Sequence, residues 1–209
     1  MDLKKYWEEK HLRYSKQDWI GKPTLFAQFA FKYFPSQGSV LDLGCGHGQD
    51  SRFFAENGYE VVGTEFSEKA LEFAVSKSDP KLKISYIIHD LKDDFPLKDS
   101  SFDVVYSHLS VQFFDNKITE KIFNEIQRVL KKDGLLVLLV NSLDDPEVKN
   151  SKFLYDDLYE APDGLIKRFY NEKSLEKFTE DKFKTILLDS KGETYKDIST
   201  LIRYIGTKK

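Results

Sequence analysis

Residues 39 to 50 read Ser39-Val40-Leu41-Asp42-Leu43-Gly44-Cys45-Gly46-His47-Gly48-Gln49-Asp50, and no other stretch restricts the fold as much. Val40 to Leu43 is a short apolar run of the kind that makes a buried parallel strand. Three glycines follow at alternate positions, Gly44, Gly46 and Gly48. Ser51 to Glu56 is then apolar at helical spacing and is stopped by Asn57-Gly58. A strand, a glycine turn and a helix in this order cradle a nucleotide. Glycine allows positive φ and close approach of a ligand, and the first N–H groups of the helix point at polar ligand atoms.

The spacing narrows the ligand. A dinucleotide fingerprint runs G-x-G-x-x-G; here the glycines run G-x-G-x-G, and Gln49 stands where its third glycine would be. No Gly-Lys-Ser/Thr follows, so the P-loop pattern is also missing. Asp42 lies inside the strand end, two residues before the first glycine. Val-Leu-Asp-Leu-Gly-Cys-Gly-His-Gly resembles the first motif of the class I S-adenosylmethionine-dependent methyltransferases. Pro96 followed by Ser101-Phe102-Asp103-Val104-Val105 is similar to the segment such proteins carry before and within their fourth strand. Arg128-Val129-Leu130-Lys131, with Gly134, is a further shared trait at the entry to the fifth. Arg168-Phe169-Tyr170 before a helix and two closing strands is similar to the small-molecule, tellurite-resistance-like branch.

The order of elements predicts an α/β fold, a doubly wound Rossmann-like sheet of seven strands, mostly parallel with an antiparallel C-terminal hairpin. Strands are expected at 59–65, 83–88, 102–106, 135–140, 183–188 and 201–206. Pro23 suits the first turn of a helix with Leu25, Phe26, Phe29, Ala30 and Tyr33 on its apolar face. Residues 1–209 are expected to form one domain. Within it, residues 1–35 would be a helical lid bearing Tyr6, Trp7, His11, Tyr14 and Trp19, or a surface helix whose aromatics pack onto the body. Residues 142–172 are expected to be a long loop near the substrate, with a hairpin turning at Asp163-Gly164.

The chain of 209 residues is long enough to bury a core by itself. A formal net charge of −3 carries no electrostatic footprint for nucleic acid. No run of about 18 apolar residues occurs, so no span is expected, and the N-terminus lacks the apolar core of a signal peptide. A single cysteine, Cys45, makes a reducing cytoplasm the expected location.

The resemblance implies S-adenosyl-L-methionine as cofactor, held by Asp42, Gly44, Cys45, Gly46, Gly48 and Asp50 around the methionine and ribose. Glu65 ends the second strand, where a carboxylate accepts ribose hydroxyls. Phe66 would lie along the adenine, Asp90 would hold its amino group with the Leu91 N–H nearby, and Ser107 would sit at the sheet's carboxyl edge. His108 is a candidate general base or a pocket wall. Tyr14, Tyr155 and Arg168 are candidate substrate residues, and no metal constellation is seen. The Asn/Asp-Pro-Pro-Tyr/Phe motif of base-amino methylation is replaced by Ser107-His108-Leu109-Ser110, and no second cysteine could serve cytosine C5 chemistry. A small-molecule acceptor methylated on O, N or S is therefore expected. A protein that binds the nucleoside without turnover, or a nicotinamide-dependent oxidoreductase, is the alternative.

Overall fold

The computed structural model describes residues 3–195 and 200–209. Met1 and Asp2, the start of the expected lid, lie outside the described residues. The chain begins with α1 (Leu3–Tyr14) and a short 3-10 turn, followed by α2 (Leu25–Ala30). Then come β1 (Ser39–Leu43), α3 (Gln49–Glu56), β2 (Glu60–Glu65), α4 (Glu68–Lys77), β3 (Ile84–Ile88) and β4 (Phe102–His108). They are followed by α5 (Asn116–Val129), β5 (Leu130–Asn141), the short strands β6 (Lys152–Tyr155), β7 (Leu158–Glu160) and β8 (Ile166–Arg168), and α6 (Glu172–Thr179). Strands β9 (Phe183–Gly192) and β10 (Leu201–Lys208) close the chain.

Seven strands form one sheet in the order β3-β2-β1-β4-β5-β10-β9. The first five are parallel, and β10 runs antiparallel to both β5 and β9, as the direct connection between the last two strands requires. Side chains alternate across a strand, so neighbours enter opposite layers. Val40, Val104, Tyr106, Val137 and Leu139 pack on one face with Phe26 and Phe54. Leu41, Leu43, Val105, Leu136 and Leu138 pack on the other with Ile122, Phe123 and Ile126 of α5. The last three are fully buried, and burial of each contributes about 1.5–3 kcal/mol.

Local signals account for the helix starts. Thr24, Ser67 and Asp115 cap α2, α4 and α5 by accepting the N–H of Ala27, Ala70 and Ile118. Thr24 is thus the cap of α2, and Pro23 stands before it rather than in the first turn. The fifth strand also begins earlier than its apolar run. It pairs with β4 from Leu130, with a register shift before Leu135 and Asp133 at a φ of 59°. Residues 142–172 contain more order than a loop: β6, β7 and β8 form a separate antiparallel sheet, with 161–165 as the connection between β7 and β8. Among the described residues no helix is long and apolar enough to cross a membrane.

Strand order reverses at β1, which has β2 on one side and β4 on the other. Loops leaving the two strands diverge there and open a crevice at their carboxyl ends.

Candidate active site

A cleft of about 1320 Å³ occupies that crevice. Its floor is the glycine turn. The Cys45 N–H donates to the Thr64 carbonyl and the Gly48 N–H to the Cys45 carbonyl, each at 2.9 Å. The Arg52 guanidinium donates to the His47 carbonyl at 2.7 Å. Gly44 lies against Ser110, whose Cβ stands 2.4 Å from where a Gly44 Cβ would be. The Ser110 hydroxyl donates to the Leu43 carbonyl at 2.7 Å and shares a 2.6 Å hydrogen bond with Ser107. Ser107 is therefore fully buried beneath the turn, supports it through Ser110, and does not line the cleft.

Gly48 has a related position. It caps α3 at a φ of 69°, and a Cβ there would meet the Tyr86 hydroxyl at 2.5 Å and Ala74 Cβ at 2.9 Å. Its part is close packing of α3 on β3 and α4, while Gly44, Cys45 and Gly46 face the cleft.

Three acids reach the cleft from three strand ends. Asp42 is almost completely buried and accepts from the Ser51 hydroxyl at 2.6 Å. Burial, with the Asp50 and Glu65 carboxylates nearby, pushes its carboxyl up to about 8. Glu65 accepts the N–H groups of Gly46 at 3.2 Å and of Phe66 and Ser67 at 3.0 Å. Burial raises its pKa, and those backbone bonds pull it back down. Asp90 accepts the Lys92 N–H at 3.1 Å and pairs with the Lys92 ammonium at 2.8 Å, so it also shapes its own turn. Phe66 and Leu91 line the same end of the cleft. Asp50 lines it too, with its carboxylate held by the Thr24 N–H and hydroxyl and by Tyr106 at 2.7–2.8 Å.

The other end has a different character. Trp7, Tyr14 and Trp19 come from the N-terminal segment, Phe113 from the loop after β4, and Tyr155, Leu158 and Ile166 from the small sheet. Trp7 packs edge-on against Phe113 at 5.1 Å, and Tyr14 against Trp19 at 5.5 Å. His108 enters from the end of β4. The next residue, Leu109, takes a φ of 58° and donates its N–H to the Leu139 carbonyl at 2.9 Å, which turns the chain after His108. Among the described residues the lysines lining the cleft are Lys4 and Lys92, paired with Glu68 and Asp90. Arg168 is not in this cleft. It is buried behind it, donating to the Asp156 and Phe114 carbonyls and lying over the Tyr170 and Phe178 rings.

The family model of the methyltransferase domain (Methyltransf_11) matches residues 41–138, the strands and helices that build the floor of this cleft. Over just under half of its length the chain is thus similar to that methyltransferase domain family. The chain is 32% identical over 113 residues to a malonyl-[acyl-carrier protein] O-methyltransferase of Enterobacter lignolyticus, spanning 54% of this chain and 43% of that protein. It is 34% identical over 118 residues to a 2-methyl-6-phytyl-1,4-hydroquinone methyltransferase of Synechocystis, spanning 54% of this chain and 36% of that one. The chain thus spans less than half the length of these curated relatives. A crystal structure of an S-adenosylmethionine-dependent methyltransferase from Methanosarcina mazei superposes with a TM-score of 0.73 at 24% identity, covering 86% of this chain and 96% of that one.

Several cleft residues had no functional motif of their own. His11 has no motif around it, yet it lies against His47 at 4.9 Å and its Nε2 stands 4.0 Å from the Glu65 carboxylate. Burial and the neighbouring His47 lower its pKa to about 3, so the ring is neutral. His89 and Gln49 also line the cleft, each with one buried polar atom, Nε2 and Oε1, that no protein group satisfies. The pattern of aromatics before Pro23 was the available clue, and it marked Tyr6, Trp7, His11, Tyr14 and Trp19 together without separating His11 from the rest.

Proposed function

We propose that this protein transfers a methyl group from S-adenosylmethionine to a small, flat acceptor held at the aromatic end of the cleft. The observation that carries the reading is the set of acids around the glycine turn. Asp42 would take the ammonium group of the donor, Glu65 a ribose hydroxyl, and Asp90 the adenine amino group with the Leu91 N–H beside it. Gly44, Cys45 and Gly46 leave room for the ribose and the methionine chain, and Phe66 offers a face to the base. The unsatisfied Gln49 and His89 atoms at the same end support a polar ligand there.

The bound donor supplies an electrophilic methyl on a sulfonium. The protein's own task is then to exclude water and hold the acceptor in line, which is worth on the order of 7–11 kcal/mol. The N-terminal segment and the 142–172 segment would close the cleft: Tyr6 of α1 donates to Asp163 in the β7–β8 connection at 2.7 Å. Tyr195 donates to the Pro23 carbonyl at 3.0 Å. His108 would accept the proton of an O–H or N–H acceptor. Tyr14 and Tyr155 remain substrate candidates; Arg168 supports the wall from behind.

Aromatic rings and acids, with Lys4 and Lys92 already paired, favour an uncharged aromatic acceptor over a carboxylate. The hydroquinone named for the Synechocystis relative fits that wall better than the malonyl group named for the Enterobacter one. Titration calorimetry with S-adenosylmethionine, S-adenosylhomocysteine and NADH tests the donor. Micromolar binding of both sulfur nucleosides and none of NADH is expected. Binding of NADH alone would return the glycine turn to the oxidoreductase reading. A screen of phenols, thiols and nitrogen heterocycles then separates an enzyme from a protein that binds the nucleoside without turnover.

A further inference from the structure

We infer that His11, carried on α1, completes the ribose subsite together with Glu65, so that docking of the N-terminal helix and binding of the nucleoside are one event. The inference rests on the donor reading above. The Glu65 carboxylate has about four acceptor positions, and backbone N–H groups of Gly46, Phe66 and Ser67 take three. Phe66 and Ser67 both bond Oε1 and Gly46 bonds Oε2, so the remaining position is on Oε2; His11 Nε2 stands 4.0 Å from Oε1 of this carboxylate, too far for a hydrogen bond between them. That gap leaves room for a single hydroxyl oxygen at hydrogen-bond distance from both the ring and the carboxylate. With the proton of the neutral ring on Nε2, such a hydroxyl accepts from His11 and donates to Glu65.

Glycine at position 46 leaves this space open, since a Cβ there would stand 3.3 Å from His11 Cε1. His11 Nδ1 is buried without a partner, and the residue is only 8% exposed, so the ring is held by its surroundings rather than by a bond of its own. His47 of the glycine turn is one neighbour, and α1 carries the ring to it. Lys4 pairs with Glu68 at 2.9 Å and Glu8 with Lys69 at 3.5 Å, both on α4. Trp7 packs on Phe113, and Tyr6 reaches Asp163. An α1 that leaves α4 takes His11 out of the subsite.

The test is calorimetric binding of S-adenosylhomocysteine and of its 2′-deoxy and 3′-deoxy counterparts to the wild type, His11→Ala and His11→Phe. A lost hydrogen bond of about 0.5–1.5 kcal/mol corresponds to roughly 2- to 13-fold in affinity. Both variants are expected to bind S-adenosylhomocysteine that much more weakly. For the counterpart lacking the bridging hydroxyl, wild type and variants should bind alike. Unchanged or tighter binding of S-adenosylhomocysteine by His11→Ala would overturn the inference, since the ring would then be a plug in the subsite. An equal loss for all three ligands would also overturn it by reducing His11 to general packing. Failure of the wild type to bind S-adenosylhomocysteine is a separate result, which removes the donor reading before His11 is tested.

Discussion

Replacing Gly48 with alanine places a methyl group where the fold has no room, although the position belongs to the same turn as Gly46. At a φ of 69° an L residue is strained by about 1–2 kcal/mol. The new Cβ would stand 2.5 Å from the Tyr86 hydroxyl and 2.9 Å from Ala74 Cβ, and overpacking of this kind costs about 1–3 kcal/mol. Moving Tyr86 away also loosens its 3.0 Å hydrogen bond with Ser78. The expected loss of stability is about 2–5 kcal/mol, measured by urea unfolding at equilibrium. Gly46→Ala is the comparison. It carries similar backbone strain at a φ of 52°, but its Cβ meets only the edge of His11 at 3.3 Å. Its loss should be about 1–2 kcal/mol, and its main effect should be on binding of S-adenosylhomocysteine. Equal destabilisation by the two variants, or a loss below about 1 kcal/mol for Gly48→Ala, would refute the division of the turn into one packing glycine and one ligand-facing glycine.

Three further outcomes follow from the same geometry. Asp42 is protonated in good part at pH 7 because its pKa is raised to about 8, and an ammonium ligand favours the ionised form. Donor affinity should therefore increase as pH rises toward 8, with proton release visible as a dependence of binding heat on buffer. In the free protein the sign is opposite: the native state holds a proton that the unfolded chain gives up above the usual carboxylate range, so stability falls with rising pH over that window. Asp42→Asn should consequently melt at a higher temperature than wild type at pH 8 while binding the donor more weakly. Arg168→Ala should cost about 2–4 kcal/mol, through two lost carbonyl hydrogen bonds and the emptied space over Tyr170 and Phe178; a changed acceptor KM with unchanged stability would restore it to the substrate site. His108→Gln should lower kcat and leave S-adenosylhomocysteine binding unchanged, and an unaltered kcat would make it a wall residue.

The features legible in the sequence are those whose physics is local. The apolar run before Gly44, the three glycines and the helix after them declare a nucleotide turn within 20 residues. Glu65 owes its place to being the last residue of an apolar strand. Residues 142–172 were harder, because strands of three or four residues carry too little alternation to be told from a loop.

What only the tertiary structure decided are roles set by contacts between distant parts of the chain. Gly48 packs because Tyr86 and Ala74 arrive beside it. Ser107 supports a turn more than 60 residues earlier through Ser110, and Arg168 serves carbonyls at 114 and 156. His11 faces Glu65 only because charge pairs dock α1 on α4. A sequence window shows which residue could hold a hydrogen bond or fill a space. The sheet order determines which other residue is there to meet it.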